Sequence, residues 1–402
     1  IVGRDPEQNR WTHRHVEVPV EKRSRFFLGL LGSSMLLLPG AAAAQGLTGF
    51  WSDLTPYPVP ITNNAVTSVC DQAGCTLYSF MGMTDPLDSS SVTAAAFKLE
   101  SPGTGAWQPI ADAPLLSNRG KIAASAVTVA GEVYLIGGYT ATVPELTEPG
   151  LFRYDPVDDL YVELAEVPTE VDDTVAGVYR DRYIYLISGW HGPINGNVRN
   201  VQVYDTLTDT WTQATEIPAA GRFGSAGGVI GDRLIFIDGS NFSISHRTLV
   251  GTIDADDPAV ITWTQPAASP FSPTYRAANA QSDLGCMRML FIGGTSNPYN
   301  FSGNGYNGQP SLPLDQVMAY DPVEDVWTAV DDSGGSSHTP TMDHRGASFF
   351  DGRWVIVGGM TGPGAAISTV SALDVPQLCE ALPFFEDGFE SGDTSAWSGS
   401  AP

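Results

Sequence analysis

Six times along the chain an apolar run stops at a glycine. The copies are "LYSFMG" (Gly82), "VYLIGG" (Gly138), "IYLISG" (Gly189), "LIFIDG" (Gly239), "LFIGG" (Gly294) and "WVIVGG" (Gly359), at intervals of 56, 51, 50, 55 and 65 residues. Self-similarity at such a period marks a repeat architecture, in which each copy is one supersecondary unit. Unbroken apolar runs of this length suit strands buried on both faces. Each run has a partner upstream across a tight turn, as in "SAVTVAGEVYLIGG" and "GGVIGDRLIFIDG", which read as hairpins. After the glycine comes a variable polar loop. Then follows a third strand ending "FRYD", "VQVYD", "VMAYD" or, in the last copy, "SALD", and after a turn a Trp or its substitute. Tyr154 and Tyr161, Tyr204 and Trp211, and Tyr320 and Trp327 are each seven residues apart. Every copy thus predicts four strands. The acidic turns "YDPVDDLY" and "YDPVEDVW" lack the Asp-x-Asp-x-Asp-Gly loop that wraps calcium, and Asp-Pro is ordinary turn chemistry, so no metal site is expected there.

Four strands, a paired glycine, a Tyr and a Trp per unit of some fifty residues resemble the kelch repeat. The resemblance runs from about Thr48 to Pro376 and implies an all-β fold, a six-bladed kelch-type β-propeller. The sixth copy runs "GASFFDGRWVIVGG" to "VSALDVP" without a Trp strand of its own, since Glu380 stands where the Trp belongs. "WSDLTPYPVP", beginning at Trp51, is a Trp strand without a copy. Its Trp-to-Pro gap of seven recurs at Trp107/Pro114, Tyr161/Pro168, Trp211/Pro218 and Trp263/Pro270. The N-terminal strand is therefore expected to complete the last blade, leaving no open sheet edge.

Composition agrees with many turns and no long helix: the 402 residues include 43 Gly and 29 Pro. The exception is "KRSRFFLGLLGSSMLLLPGAAAAQ", with a basic start, an apolar run too short to span a membrane and Ala42–Ala44 before Gln45. This is the pattern of a cleaved secretory signal. Residues 1–44 are read as leader and signal peptide, with 1–21 as upstream sequence, residues 45–383 as the propeller and 384–402 as a disordered tail. That tail carries "GFESGD", similar to a short motif near the C-termini of secreted bacterial proteins, which implies an export or attachment tag. Residues 45–402 hold 14 basic and 41 acidic residues. Such a field repels nucleic acid and anionic membrane and suits solubility outside the cell. The expected location is secreted, periplasmic or cell-surface, and a monomer is expected. An even cysteine count in a secreted chain points to disulfides, and no Cys-x-x-Cys with paired His calls for zinc. Four cysteines allow three pairings. The strand path of the implied propeller favours Cys70–Cys75 across "CDQAGC" and Cys286–Cys379, which emerge on one face.

Candidate chemistry lies on the face carrying the loops after each glycine. The blade 5 loop, Thr295 to Gln316, is rich in Asn, Gly and Tyr and offers Tyr299 and Tyr306 for stacking on a neutral polar ligand such as a sugar. Blade 3 offers Trp190 and His191, and blade 4 offers Asn241 and His246. A second set sits just before the inner strands: Arg119, Arg222, Arg276 and Arg345, with Asp172 and Asp173 in place of Arg in blade 3. Inner strands line a propeller's channel, so these would converge at the axis. They would either bind a carboxylated ligand beside an acid/base, or pair with one another. Galactose oxidase, a related propeller, holds copper with Tyr and His ligands. His191, His246, His338 and His344 are scattered here and match no such set, so neither metal nor cofactor is expected. The reading is a secreted binding module for a glycan or an extracellular protein. The alternative is a cofactor-free mutarotase or epimerase of the sialic acid type, with Asp172, Asp173 and Arg222 as catalytic candidates.

Overall fold

The computed structural model describes residues 46–379, apart from 73, 117–119, 142, 193–195 and 281–285. The readings made for residues 1–44, for 384–402 and for Arg119 lie outside the described residues. Within them nearly all regular structure is β. The one helical turn is a 3-10 turn at Ser89–Ser91, and no helix is long and apolar enough to cross a membrane.

The strands form four separate four-stranded antiparallel sheets and one eight-stranded sheet that joins two further units. Blade 3 shows the pattern: Val175–Tyr179, Tyr183–Ile187, Val201–Asp205 and Thr210–Ala214, each paired with the next. The innermost strands touch in a closed series. Ala65–Asp71 packs on Ser125–Val129, then Val175–Tyr179, Ala226–Ile230, Ala278–Ala280 and Ser348–Phe350 follow, and the last returns to Ala65–Asp71. There is no single core. Buried side chains gather instead in a cluster between each pair of neighbouring blades, such as Tyr185, Val203, Phe236 and Leu249 between blades 3 and 4. Each sheet is covered on both faces by its neighbours, which is why the inner runs are apolar without alternation.

The recurrent glycine answers a steric demand repeated in every blade. The residue before it is left-handed in all six copies: Met81, Gly137, Ser188, Asp238, Gly293 and Gly358 have φ between 52° and 67°. Side chains are tolerated there. At the glycine itself a Cβ would lie 2.8 Å from the Thr62 carbonyl (Gly82), 2.8 Å from that of Ile122 (Gly138) and 2.7 Å from that of Asp172 (Gly189). Backbone meets backbone at this point, so only the second position is invariant.

The outer strands are tied to the preceding blade by their aromatic residue. Trp107 Nε1 donates to the Thr55 carbonyl at 2.9 Å, Tyr161 Oη to Ala111 at 2.9 Å, Trp211 Nε1 to Ala165 at 2.8 Å and Trp263 Nε1 to Thr215 at 3.1 Å. Each acceptor stands four residues past the aromatic of the blade before: Trp51, Trp107, Tyr161 and Trp211. Trp51 thus serves blade 1 as any outer-strand Trp serves its successor. Its strand, Leu47–Asp53, pairs antiparallel with Val370–Asp374, with Trp51 opposite Leu373 and Phe50 opposite Asp374. On its other edge it runs parallel to the long blade 5 strand Val326–Gly335, a contact the repeat pattern did not foretell. Gly334 and Gly335 admit it: a Cβ on Gly334 would lie 2.6 Å from the Phe50 ring, and one on Gly335 2.2 Å from the Trp51 carbonyl. Disulfides join Cys70 to Cys75 and Cys286 to Cys379, the second tying the last described residue to blade 5. In the acidic turns, Asp159, Asp209 and Asp325 accept from the hydroxyls of Tyr154, Tyr204 and Tyr320 at 2.9, 2.7 and 2.9 Å.

Candidate functional site

The chain enters each inner strand through a left-handed residue: Asn63, Ala123, Asp173, Gly224, Arg276 and, in blade 6, Asp343. Backbone bonds link these entrances from blade to blade. Asp173 N donates to Ala123 O, Gly224 N to Asp173 O, Arg276 N to Gly224 O, His344 N to Arg276 O and Asn63 N to Asp343 O, at 2.9 to 3.3 Å. The six entrances therefore form a collar at the axis, and their side chains meet there.

Three of them, together with Arg345, hold one another. Arg276 donates to Asp173 at 2.5 Å and to Asp343 at 2.9 Å, and Arg345 reaches Asp173 at 2.7 Å. Asp343 also accepts from Thr62 Oγ1 at 2.8 Å and Asn63 Nδ2 at 2.9 Å. The Arg276 guanidinium, itself buried, lies over the rings of Tyr275 and Tyr299 at 4.8 and 5.1 Å and bonds the Asn300 carbonyl. Its partners Asp173 and Asp343 hold its pKa well up against the opposing pull of burial. Such a buried cluster is costly to break and has no free cation to offer a ligand.

A cavity adjoins this plug on each side, and Asp173 lines both. The larger, about 590 Å³, is the channel between the inner strands and reaches their hairpin turns at Gly131, Asp181 and Gly231. The smaller, about 170 Å³, lies under the loops that follow the glycines. Its lining has two parts. Trp190, Phe223, Phe242 and Tyr306 form an aromatic wall of rings in edge contact, with Trp190 and Phe242 centroids 5.5 Å apart at 85° and Phe242 and Tyr306 5.1 Å apart at 75°. Tyr139, Glu145, Thr147, Asp172, Asp173 and Asn300 form a polar wall. There Tyr139 Oη donates to Asn300 Oδ1 at 2.9 Å, Asn300 Nδ2 to Glu145 Oε1 at 2.8 Å, and Thr147 Oγ1 to Asp172 Oδ2 at 2.7 Å. Burial, and next the charge of Asp173, push the Asp172 carboxyl well above the usual range. Asn300 comes from blade 5 and Tyr139 and Glu145 from blade 2, so the long blade 5 loop crosses the face. Phe301 beside it packs on Met83, Ile122 and Tyr139.

The Kelch motif matches residues 175–218, which take in all of blade 3. Kelch-like protein terF of Aspergillus terreus is 25% identical over 284 residues, covering 68% of this chain and 56% of that protein. The chain thus spans little more than half the length of this relative. The solved structure of YjhT superposes with a TM-score of 0.64 at 17% identity, covering 81% of this chain and 98% of that one. The chain is thus similar to kelch proteins, with one Kelch motif matched in blade 3.

In this ring the expected residues separate into three groups. Trp190 and Tyr306 line the small cavity, as do Asp172 and Asp173. Arg276 and Arg345 converge on Asp173 as ion pairs, which leaves them closed to a carboxylated ligand. The remainder lie elsewhere. Arg222 stands two residues upstream of the collar position Gly224, so its side chain turns away, donating to Ser245 Oγ at 3.0 Å and lying over Phe236 at 4.7 Å. Burial pulls its pKa down to about 10. Tyr299 is fully buried beneath the loop, its carbonyl accepting from Tyr275 Oη at 2.8 Å. His191 Nδ1 sits 2.7 Å from the Glu170 carbonyl, and Asn241 Oδ1 accepts from Asn197 Nδ2 at 2.9 Å, both off the cavity lining. Tyr139, Glu145, Thr147, Phe223, Phe242, Asn300 and Asp343 belong to the site and its plug although no sequence motif singles them out. Phe223 had a signal, because it directly precedes the collar residue of blade 4, as Asp172 does in blade 3.

Proposed function

We propose that this kelch propeller is a secreted binding module that takes one sugar ring of a glycan into the small cavity of its loop face. The observation that carries this is the pairing of an aromatic wall with a hydrogen-bonded polar wall around one space. A sugar ring presents both an apolar face of C–H bonds and a rim of hydroxyls. Apolar lining with a few placed polar groups is how small-molecule sites bind and orient. At about 170 Å³ the space is below the roughly 300–1,000 Å³ of clefts for drug-sized ligands, which suits a single ring. Secretion is supported by the signal-like segment and by two disulfides that join all four cysteines. The test is a glycan array probed with the full chain and with Trp190→Ala and Tyr306→Ala. Expected is binding that both variants weaken by about tenfold or more, a loss near 1.4 kcal/mol for one stacking ring. Equal binding by all three proteins rejects the cavity as the site.

A second reading uses the same cavity. The Asp172 carboxyl, its pKa raised by burial and by Asp173, has the character of a general acid toward a sugar's ring oxygen. It would speed exchange between anomers. Exchange followed by NMR should be faster with the full chain than with Asp172→Asn, and equal rates dismiss it.

A further inference from the structure

We infer that the sugar this cavity selects carries a protonated amine, as an unacetylated amino-hexose does, so that the site reads an ammonium together with a ring. This rests on the sugar-binding reading above and narrows it to one ligand class. Two carboxyl groups line the space without a cationic partner. Among the described residues neither Glu145 nor Asp172 forms an ion pair, and no Lys, Arg or His belongs to the lining. The two nearby guanidiniums, on Arg276 and Arg345, already serve Asp173 and Asp343. An incoming carboxylate would find acids and no free donor cation, whereas an ammonium would find the Glu145 carboxylate and the Asp172 carboxyl oxygens as acceptors.

The aromatic wall points the same way. Neighbouring rings meet edge to face, at 74° for Trp190 and Phe223, 85° for Trp190 and Phe242 and 75° for Phe242 and Tyr306. Ring faces carry negative potential and attract cations, and an ammonium can lie between ring face and carboxylate. A divalent metal fits worse. It would want six or more oxygen ligands, aromatic carbon supplies none, and no cluster of three candidate ligand residues occurs among the described residues. The field of the whole protein agrees, since 41 acidic against 14 basic residues beyond residue 44 draw cations inward.

Calorimetric titration of the full chain at pH 6 with D-glucosamine, N-acetyl-D-glucosamine, D-glucose and tetramethylammonium separates the possibilities. Glucosamine should bind about tenfold or more tighter than the two neutral sugars, the gain of one charge-assisted contact with a cation–π contact. Glu145→Gln should cut that preference by about fivefold, since the amide still accepts from Asn300 but no longer carries charge. Glu145 is solvent-exposed, so folding is not at stake. Neutral sugars binding within about twofold of glucosamine would overturn the ammonium and leave the sugar reading standing. Tetramethylammonium binding while no sugar does would overturn the sugar reading and keep the cation. A preference untouched by Glu145→Gln would remove this cavity as its source, and binding by none of the four would overturn both.

Discussion

Removing the Trp51 side chain tests how the ring is closed. The indole is 3% exposed, stacks on His338 with centroids 3.8 Å apart at 10°, and donates from Nε1 to Asp332 Oδ2 at 2.8 Å. Truncating a packed Trp to Ala costs about 3–5 kcal/mol. The lost bond to a half-buried carboxylate adds about 1 kcal/mol. Trp51→Ala should therefore lower stability by about 4–6 kcal/mol in urea unfolding followed by circular dichroism. Trp51→Phe keeps a ring on His338 and gives up the N–H, so about 1–2 kcal/mol is expected. Trp263→Ala is the internal standard. Trp263 is the same residue at an ordinary blade junction, half-buried and bonded only to the Thr215 carbonyl at 3.1 Å, and should cost about 2 kcal/mol. Trp51 differs because its strand is hydrogen-bonded on both edges, to blade 6 and to blade 5. A Trp51→Ala protein less perturbed than Trp263→Ala, at an unchanged denaturant slope, would refute the closure as the point where the ring is held.

Two further substitutions probe the axis. Arg276→Ala leaves Asp173 with Arg345 alone and strips Asp343 of its 2.9 Å partner, so a loss of about 3–5 kcal/mol is expected from thermal or urea unfolding. Arg222→Ala, removing one bond to Ser245, should cost about 1–2 kcal/mol, and equal losses would restore the symmetric arginine ring that the structure rejects. His344 is held neutral: burial above all, then His338 and Arg345, pull its pKa from 6.5 down to about 3. A histidine depressed in the fold contributes stability above its unfolded value and loses it as pH falls from about 6.5 toward 3, by about 1.4 kcal/mol per unit. Between pH 6.5 and 5 the wild type should lose about 2 kcal/mol that His344→Gln does not, and parallel pH profiles would dismiss the assignment.

The repeat and its breaks were legible because they are backbone requirements. The invariant glycine, the Tyr-to-aromatic spacing and the Trp strand without a copy each report where main chain meets main chain or where an outer strand grips its neighbour. Those contacts recur in register, so six weak marks reinforce one another. The site was legible only in part. Trp190, Asp172 and Asp173 stand in positions whose placement follows from the repeat, whereas Tyr306 stands out only by its type within the long blade 5 loop. Glu145, Phe242 and Asn300 belong to loops of unequal length, and no period says which blade a loop reaches. Asn300 bonds to blade 2 from blade 5, a contact 155 residues away in sequence. The arginine ring misled for a smaller reason: Arg276 occupies a collar position, whereas Arg222 stands two residues before one and turns to Ser245.

That offset also explains how a symmetric fold obtains an asymmetric site. The collar backbone is set by bonds from one blade to the next, and the left-handed turn it needs is met by Asn63, Ala123, Asp173, Gly224, Arg276 and Asp343 alike, with φ from 50° to 72°. A left-handed non-glycine residue costs about 1–2 kcal/mol, and the collar bonds compensate whatever the side chain. Side-chain identity is thus released from the demands of the repeat at this one level. The residue just before the collar has the same freedom: Thr62, Ile122, Asp172, Phe223, Tyr275 and Met342 share one place and no chemistry. Of these, Asp172 and Phe223 line the cavity from adjacent blades, one in the polar wall and one in the aromatic. Each wall thus takes one residue from the same repeat position in neighbouring blades, diverged where the fold imposes no choice.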